Sequence, residues 1–429
     1  MAEPSTASNL DKRPPWWRSL GPALITACVV MGPGSLLISA NVGANHRYEL
    51  LWLLVSTGVL MGTYVTMGAR IGVVGGATPC TLVAQRLGRP IAAVIGINLC
   101  LICTTFQFSN NLAVAAAAET LVPKLDTHWV LLGLNGLIIV FLFLATQIYR
   151  FLERTMKIMV GVMLLCFVIN LVIAGPNLLG IIKGLVPSWP EGLSLGVPKK
   201  IDGAIKDPMI LIASLLGTTF SVAAAFYQGN LVREKGWTIK EYTRGIGDSI
   251  AGVGILTGIS AIILITTATV IPGQQADNIG VLAQSLRPFL GPIAHIFFCI
   301  GLLAVAMNPF LINAMIGGSI LADGIGRAPK LSDLWPRRFT VAVLLIGMVI
   351  AMLALRTGQK PVKLIIFGQA LTVIGNPLMA VTMLWLANRK DVMGDRRNTL
   401  VLNILGGVGL LVVLLMAVRV LWRLVLMLS

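Results

Sequence analysis

The chain has 429 residues, 56% of them apolar and 12% charged, with a formal net charge of +16 and a mean hydropathy of +0.87. Soluble domains carry roughly 25% charged residues, so this composition excludes a soluble globular domain, a disordered chain and an ordinary nucleic-acid-binding protein. The basic residues fall mostly between apolar runs, which is the pattern of a protein embedded in a lipid bilayer.

A bilayer core takes about 20 apolar residues per helix. After a polar, basic tail over residues 1–18, eleven runs of that kind follow, near 19–45, 49–75, 91–120, 129–149, 155–178, 208–232, 247–272, 285–322, 338–356, 363–387 and 399–425. They are rich in Leu, Ala and Gly and show no sustained period-2 alternation, so they read as helices of an all-α integral membrane protein and not as barrel strands. The tail does not read as a cleavable signal peptide, because no short apolar stretch precedes a small-residue cleavage site. With the N-terminus in the cytoplasm, 20 of the 33 basic residues lie on that side and 12 on the other, with Arg70 inside the second run. This bias places the N-terminus inside the cell membrane and, after eleven spans, the C-terminus outside. Arg419 and Arg423, at the end of the last run, fit that placement less well. Cys100 and Cys103 form a CxxC within an apolar run and read as helix packing, not as a metal or redox site.

The longest connection, 179–207, contains Pro187, Pro190 and Pro198 and is expected to be an external loop. It separates two five-helix blocks, 19–178 and 208–387, leaving a loop and an eleventh helix in 388–429. A block with an odd number of spans inverts its topology on repetition. Inverted repeats in transporters carry broken helices at corresponding positions. The first block shows such a break at Gly32-Pro33-Gly34-Ser35, where Pro removes a backbone donor and Gly accepts unusual dihedrals. Unwound carbonyls and helix ends near the bilayer midplane can hold an ion; a plain proline kink is the simpler alternative. In the third run Gln107, Asn110 and Asn111 share one helical face and are expected to line a pocket or pathway. Asn308-Pro309 and Asn313 are expected to interrupt the eighth run, with Asn308 as a pocket candidate.

Gly32-Pro33-Gly34-Ser35, then Asn41-Val42-Gly43-Ala44 and Tyr48-Glu49-Leu50-Leu51-Trp52, resemble the first-helix signature of the NRAMP divalent-metal transporters, which reads Asp-Pro-Gly-Asn, Gly-Ala and Tyr-x-Leu-Leu-Trp. The resemblance continues at Leu216-Gly217-Thr218-Thr219, Asp248, Arg337-Arg338, Gln369 and Met393-Gly394-Asp395, and so covers nearly the whole chain. It implies a LeuT-type fold of two inverted five-helix repeats plus one further helix. It also implies a break in the sixth span, which carries no proline of its own.

The departures from the family pattern are as informative. The family's metal-binding Asp falls on Gly32 and its Asn on Ser35; the sixth-helix Met-Pro-His falls on Ser221, Val222 and Ala223. Carboxylate, thioether and imidazole are all replaced. Oxygen ligands and water favour Mg²⁺ over softer metals, and Mg²⁺ keeps several of its waters. The pattern resembles the NRAMP-related magnesium transporter branch, as does the stretch from Phe220 through Gln228 to Trp237. The resemblance implies a wide cation site from Gly32, Ser35, the Thr218 carbonyl, Ser221 and Gln369, with Ala223 and Gln228 near the pathway. The third-helix acids of proton-coupled relatives fall on Phe108 and Asn111, neither of which titrates, so uptake of Mg²⁺, and of Mn²⁺ with it, is expected without proton coupling. The divalent cation is the substrate; no resident cofactor and no enzymatic activity are expected. No nucleotide-binding GxxxxGK[ST] is present, and nothing argues for a dimer, so a monomer in the bilayer is expected. The alternative is a LeuT-fold carrier of a neutral or zwitterionic organic solute, which a site without charge also suits.

Overall fold

A computed structural model describes residues 31–429 except 123, 145, 191–192, 202–203, 275, 277 and 331. The tail over 1–18 and the beginning of the first run lie outside the described residues. Helix α1 is Pro33–His46, followed by α2 Leu51–Val74, α3 Pro79–Leu87, α4 Arg89–Leu121, α5 Thr127–Leu144 and α6 Thr146–Ala174. The short α7, Leu178–Gly184, turns 118° from the end of α6. A two-stranded antiparallel hairpin follows, β1 Lys199–Ile201 and β2 Ala204–Lys206. Then come α8 Ile210–Thr219, α9 Val222–Glu234, α10 Ile239–Val270, α11 Ile279–Ala283, α12 Arg287–Leu290, α13 Ala294–Gly324, α14 Leu334–Leu355, α15 Pro361–Leu371, α16 Asn376–Asn388, α17 Lys390–Met393 and α18 Leu400–Leu428.

Among the described residues, eight helices or joined helix pairs are long and apolar enough to cross a bilayer, and the bent α6–α7 pair makes a ninth. The shorter apolar part of α5, Thr127–Val140, and α1 occupy the fourth and first runs. Two expectations need correction. The segment 179–207 is not a plain loop, because it contains α7 and the hairpin. Pro309 does not interrupt the eighth run, since α13 runs through it from Ala294 to Gly324. Neighbouring helices and local backbone adjustment absorb a missing donor in membrane helices.

In lipid no hydrophobic effect drives helices together, so close backbone approach over small residues holds a bundle. That is how α9 sits on α2: a β-carbon at Gly68 would stand 2.0 Å from the Ala225 carbonyl oxygen, and one at Gly72 would stand 2.3 Å from that of Gly229. Likewise α1 meets α10 where a β-carbon at Gly43 would stand 2.2 Å from Leu264 O. Cys103 packs against Gly317 of α13 in the same manner, as expected of a packing cysteine.

The two arginines that disturbed the charge pattern are paired. Arg419 of α18 donates from Nε and Nη2 to Asp207 Oδ1 at 3.0 and 2.7 Å, and Arg423 Nη1 lies 3.5 Å from Asp207 Oδ2. Asp207 in turn accepts from the Met209 backbone N–H at the start of α8. Arg419 also donates to the carbonyls of Leu195 and Gly196, and the Arg423 guanidinium stacks on Phe367 of α15. A small apolar cluster of Ala213, Ala370 and Val420 joins the same three helices. Thus α18 braces α8 against α15.

Candidate cation site

The first break is built from Gly32, which caps α1 in an extended conformation (φ −95°, ψ 167°), and Pro33, which starts the helix. Proline suits that position because its fixed φ is helical and the missing donor has no intrahelical partner there. Gly32 faces the Pro309 ring, with a β-carbon placed 3.6 Å from Pro309 Cγ. Ser35 is 8% exposed in the first turn of α1.

The second break falls between α8 and α9. Phe220 (φ −106°, ψ 64°) and Ser221 (φ −79°, ψ 88°) leave the helical region without a proline or glycine. Ser221 caps α9, its Oγ accepting from the Ala224 N–H at 3.4 Å. Tyr64 packs edge-on against Phe220 at 5.3 Å and donates to Gly406 O, which supports the turn from behind. The last carbonyls of α8 have no further turn to bond to, and a helix C-terminus carries roughly half a negative charge. Thr218 turns its hydroxyl back to Leu215 O at 3.0 Å.

The third wall is α15, which relaxes into a 3-10 turn, Thr372–Gly375, before α16. Gln369 lies there, 2% exposed, and its Oε1 is buried with no hydrogen-bond partner. Its amide rests on Gly34: a β-carbon at Gly34 would come 2.4 Å from Gln369 Nε2. Its carbonyl rests on Gly217, where a β-carbon would come within 2.2 Å of Gln369 O. The structure therefore brings the α1 break, the end of α8 and Gln369 into one place. Asn376, which the sequence reading missed, belongs there too. It is buried, donates from Nδ2 to the unwound Phe220 carbonyl at 3.4 Å and leaves Oδ1 without a partner. Its signal was the Asn376-Pro377 pair inside an apolar run, a turn-forming dipeptide.

The polar face of α4 is a separate, neutral string. Asn111 Nδ2 donates to Gln107 O, and Asn110 Nδ2 to Gln107 Oε1 at 3.5 Å. Asn135 of α5, also missed, donates to Asn111 Oδ1 at 2.8 Å. Gln107 Nε2, Ser109 Oγ and Asn135 Oδ1 remain buried without partners, which is the condition that ordered water satisfies. Ser109 lies against Gly368, next to Gln369. Ala223 is buried in the first turn of α9. Gln228 is not at the break. It lies seven residues further along α9, about 10 Å at the helical rise, and donates to Ser249 of α10 at 3.4 Å. The side chains of Asn308 and Asp248 lie outside the described residues. Among the described residues no three His, Cys, Asp or Glu side chains form a metal-binding group.

The chain matches a known family over nearly its whole length. A family model described as "Natural resistance-associated macrophage protein-like" matches residues 23–423. The chain belongs to the Nramp family. It is 26% identical over 419 residues to the divalent metal cation transporter MntH of Deinococcus radiodurans, covering 94% of this chain and 89% of that one. It is 24% identical over 404 residues to the transporter of the same name from Chromohalobacter salexigens, covering 92% and 88%. Among solved structures it matches an Eremococcus coleocola manganese transporter with a TM-score of 0.73 at 20% identity, over 95% of this chain and 88% of that one. It also matches Mhp1, a nucleobase-cation-symport-1 family transporter, with a TM-score of 0.53 at 14% identity, over 94% and 92%. The fold of this Nramp chain is thus LeuT-type.

Proposed function

We propose that this Nramp chain carries divalent cations, Mg²⁺ and with it Mn²⁺, by alternating access and without a coupled proton. The observation that carries the reading is Gln369: a buried side-chain amide oxygen without a partner, its side chain packed on Gly34 and its backbone on Gly217, beside two helix breaks. An unpartnered buried acceptor is costly and calls for a donor or a cation. The relatives' substrate, a divalent metal cation, supports the cation.

Every named donor at the site is a neutral oxygen: the amides of Gln369 and Asn376, the hydroxyl of Ser35 and the carbonyls ending α8. Such a shell suits a hard ion that keeps part of its water. No carboxylate is needed for uptake, because a negative-inside potential of about 100 mV draws a divalent ion inward with about 4.6 kcal/mol, more than roughly a thousandfold in concentration. The N-terminus then lies in the cytoplasm and the C-terminus outside; pairing with Asp207 removes the objection that Arg419 and Arg423 raised.

Proteoliposomes with an imposed negative-inside potential and an internal pH dye test this. Saturable Mg²⁺ and Mn²⁺ uptake without acidification is the expected result. The rate stays flat between about pH 6 and 8, because no group at the site titrates there. The exposed ion cluster adds no slope: hydrogen bonds from Arg389 and Arg86 hold the Asp391 carboxyl down at about 2. Its contribution to stability is complete above the ordinary carboxylate range and is lost only as pH falls toward that value. Gln369→Ala raises the apparent KM about tenfold, equivalent to ~1.4 kcal/mol, and Ser35→Ala raises it less. Acidification in step with metal uptake would sink the uncoupled mechanism. Folded protein that moves neither ion would turn attention to neutral or zwitterionic organic solutes, which a site without charge also fits.

A further inference from the structure

We propose that Asp323 is a second, weaker cation position on the cytoplasmic exit route and that the arriving ion unlatches α9; this rests on the cation-transport reading above. Asp323 ends α13 and is 2% exposed. Three side chains from two other elements converge on its carboxylate. Thr78, which caps α3, donates from Oγ1 to Oδ1 at 2.9 Å, and Thr81 in the first turn of α3 donates to Oδ1 at 3.1 Å. Asn230 of α9 donates from Nδ2 to Oδ2 at 3.2 Å. Asn230 is 6% exposed, and its own Oδ1 is buried with no partner. Arg89 Nη1 donates to the Asp323 backbone carbonyl at 3.1 Å.

Two features distinguish this cluster from an ordinary buried cap. The first is its place. One end of α9 is Ser221, at the break; nine residues further, about 13 Å along the helix, is Asn230 at Asp323. An ion that leaves the break along α9 arrives here. The second is its chemistry. One carboxylate, two hydroxyls and a partnerless amide oxygen form an all-oxygen set of the kind Mg²⁺ and Mn²⁺ take. A hydroxyl that donates to a carboxylate can rotate and offer a lone pair instead, and the Asn230 amide can turn to present Oδ1. When the set takes an ion, the Asn230–Asp323 hydrogen bond is lost, and with it the polar tie between α9 and α13. The Arg89 guanidinium alongside keeps the position weak. An exit position must be weak, because an ion has to leave it as readily as it enters.

The test uses Mn²⁺ and the full-length chain in nanodiscs. Equilibrium binding to the wild type gives two classes of site. Asp323→Asn removes the weaker class, and in proteoliposomes it lowers the maximal uptake rate about tenfold while the apparent KM stays within about twofold. Asn230→Asp adds a second carboxylate. If the cluster takes a cation, affinity of the weaker class rises about tenfold, and Mn²⁺ raises the unfolding midpoint of this variant. If the cluster is only structural, two apposed carboxylates lower the midpoint and Mn²⁺ does not restore it; that result overturns the proposal, as does unchanged two-class binding in Asp323→Asn. The Mn²⁺-dependent midpoint of Asn230→Asp requires neither transport nor a stable Asp323→Asn. Failure of wild-type uptake would count against the transport reading alone, and absence of a weaker class of site from the wild type against the Asp323 position alone.

Discussion

Gly34→Ala raises the apparent KM for cation uptake about tenfold, as far as Gln369→Ala does, and leaves the protein folded. The new β-carbon would stand 2.4 Å from Gln369 Nε2, 2.5 Å from Cδ and 2.9 Å from Cγ, all of them side-chain atoms. A contact below 3.0 Å has to give, and the part that gives here is the end of a flexible side chain. The Gln369 amide swings away, its unpartnered oxygen leaves the breaks, and the site loses the side-chain donor that packs on α1. Gly217→Ala makes the informative contrast. There the β-carbon would stand 2.2 Å from Gln369 O and 3.1 Å from its carbonyl carbon, which are backbone atoms, and 2.7 Å from Thr372 Oγ1. Backbone cannot step aside, so α8 must part from α15, with an overpacking cost of about 1–3 kcal/mol. Thermal unfolding in detergent separates the two. Gly34→Ala keeps the wild-type midpoint and loses affinity for the cation, whereas Gly217→Ala loses both. Wild-type uptake in Gly34→Ala would mean that Gln369 is not a ligand.

These two glycines also show how much of the site the sequence could reveal. The first break was legible because Gly32-Pro33-Gly34 is a local disruption: a missing donor and absent β-carbons act on their own helix. The second break carries no such mark. Phe220 is an unremarkable residue in an apolar run, and Ser221 announces a helix start only to a reader who already expects one to begin there. The family resemblance located that break; local chemistry did not. Gln369 could be aligned, but its contacts to Gly34 and Gly217 arise from three helices distant in sequence. Asp323, at the end of an apolar run, carries no local pattern that marks it. Only the approach of Thr78 and Asn230 across the fold gives it a part. Neutral replacements were legible in the other direction. The loss of the family carboxylate, thioether and imidazole is visible in the sequence alone, and among the described residues no acidic or imidazole cluster stands in for them.

The eleventh helix is the part of the chain whose role the repeat pattern does not give, and Arg419→Ala tests it. Arg419 and Asp207 have side chains only 8% and 1% exposed. Stranding one charge of such a pair costs about 3–5 kcal/mol, and here Arg423, 3.5 Å from Asp207 Oδ2, remains as a weaker second partner. Arg419 also holds the Leu195 and Gly196 carbonyls, so its loss frees the segment leading into the hairpin as well as the start of α8. The unfolding midpoint in detergent should fall sharply. Asp207→Leu combined with Arg419→Met should recover part of the loss, because no uncompensated carboxylate remains opposite α18, while Arg423 gives up its contact to Asp207 and keeps only its stacking on Phe367. Uptake should not recover with it. The apolar pair restores packing but lacks the directional bonds that set α8 against α15, and Gly217 and Gln369 meet across that boundary. A double variant that regains both stability and wild-type uptake would make α18 a packing helix and nothing more. One that regains stability alone would make the helix outside the ten-helix repeat a part of what aligns the cation site within it.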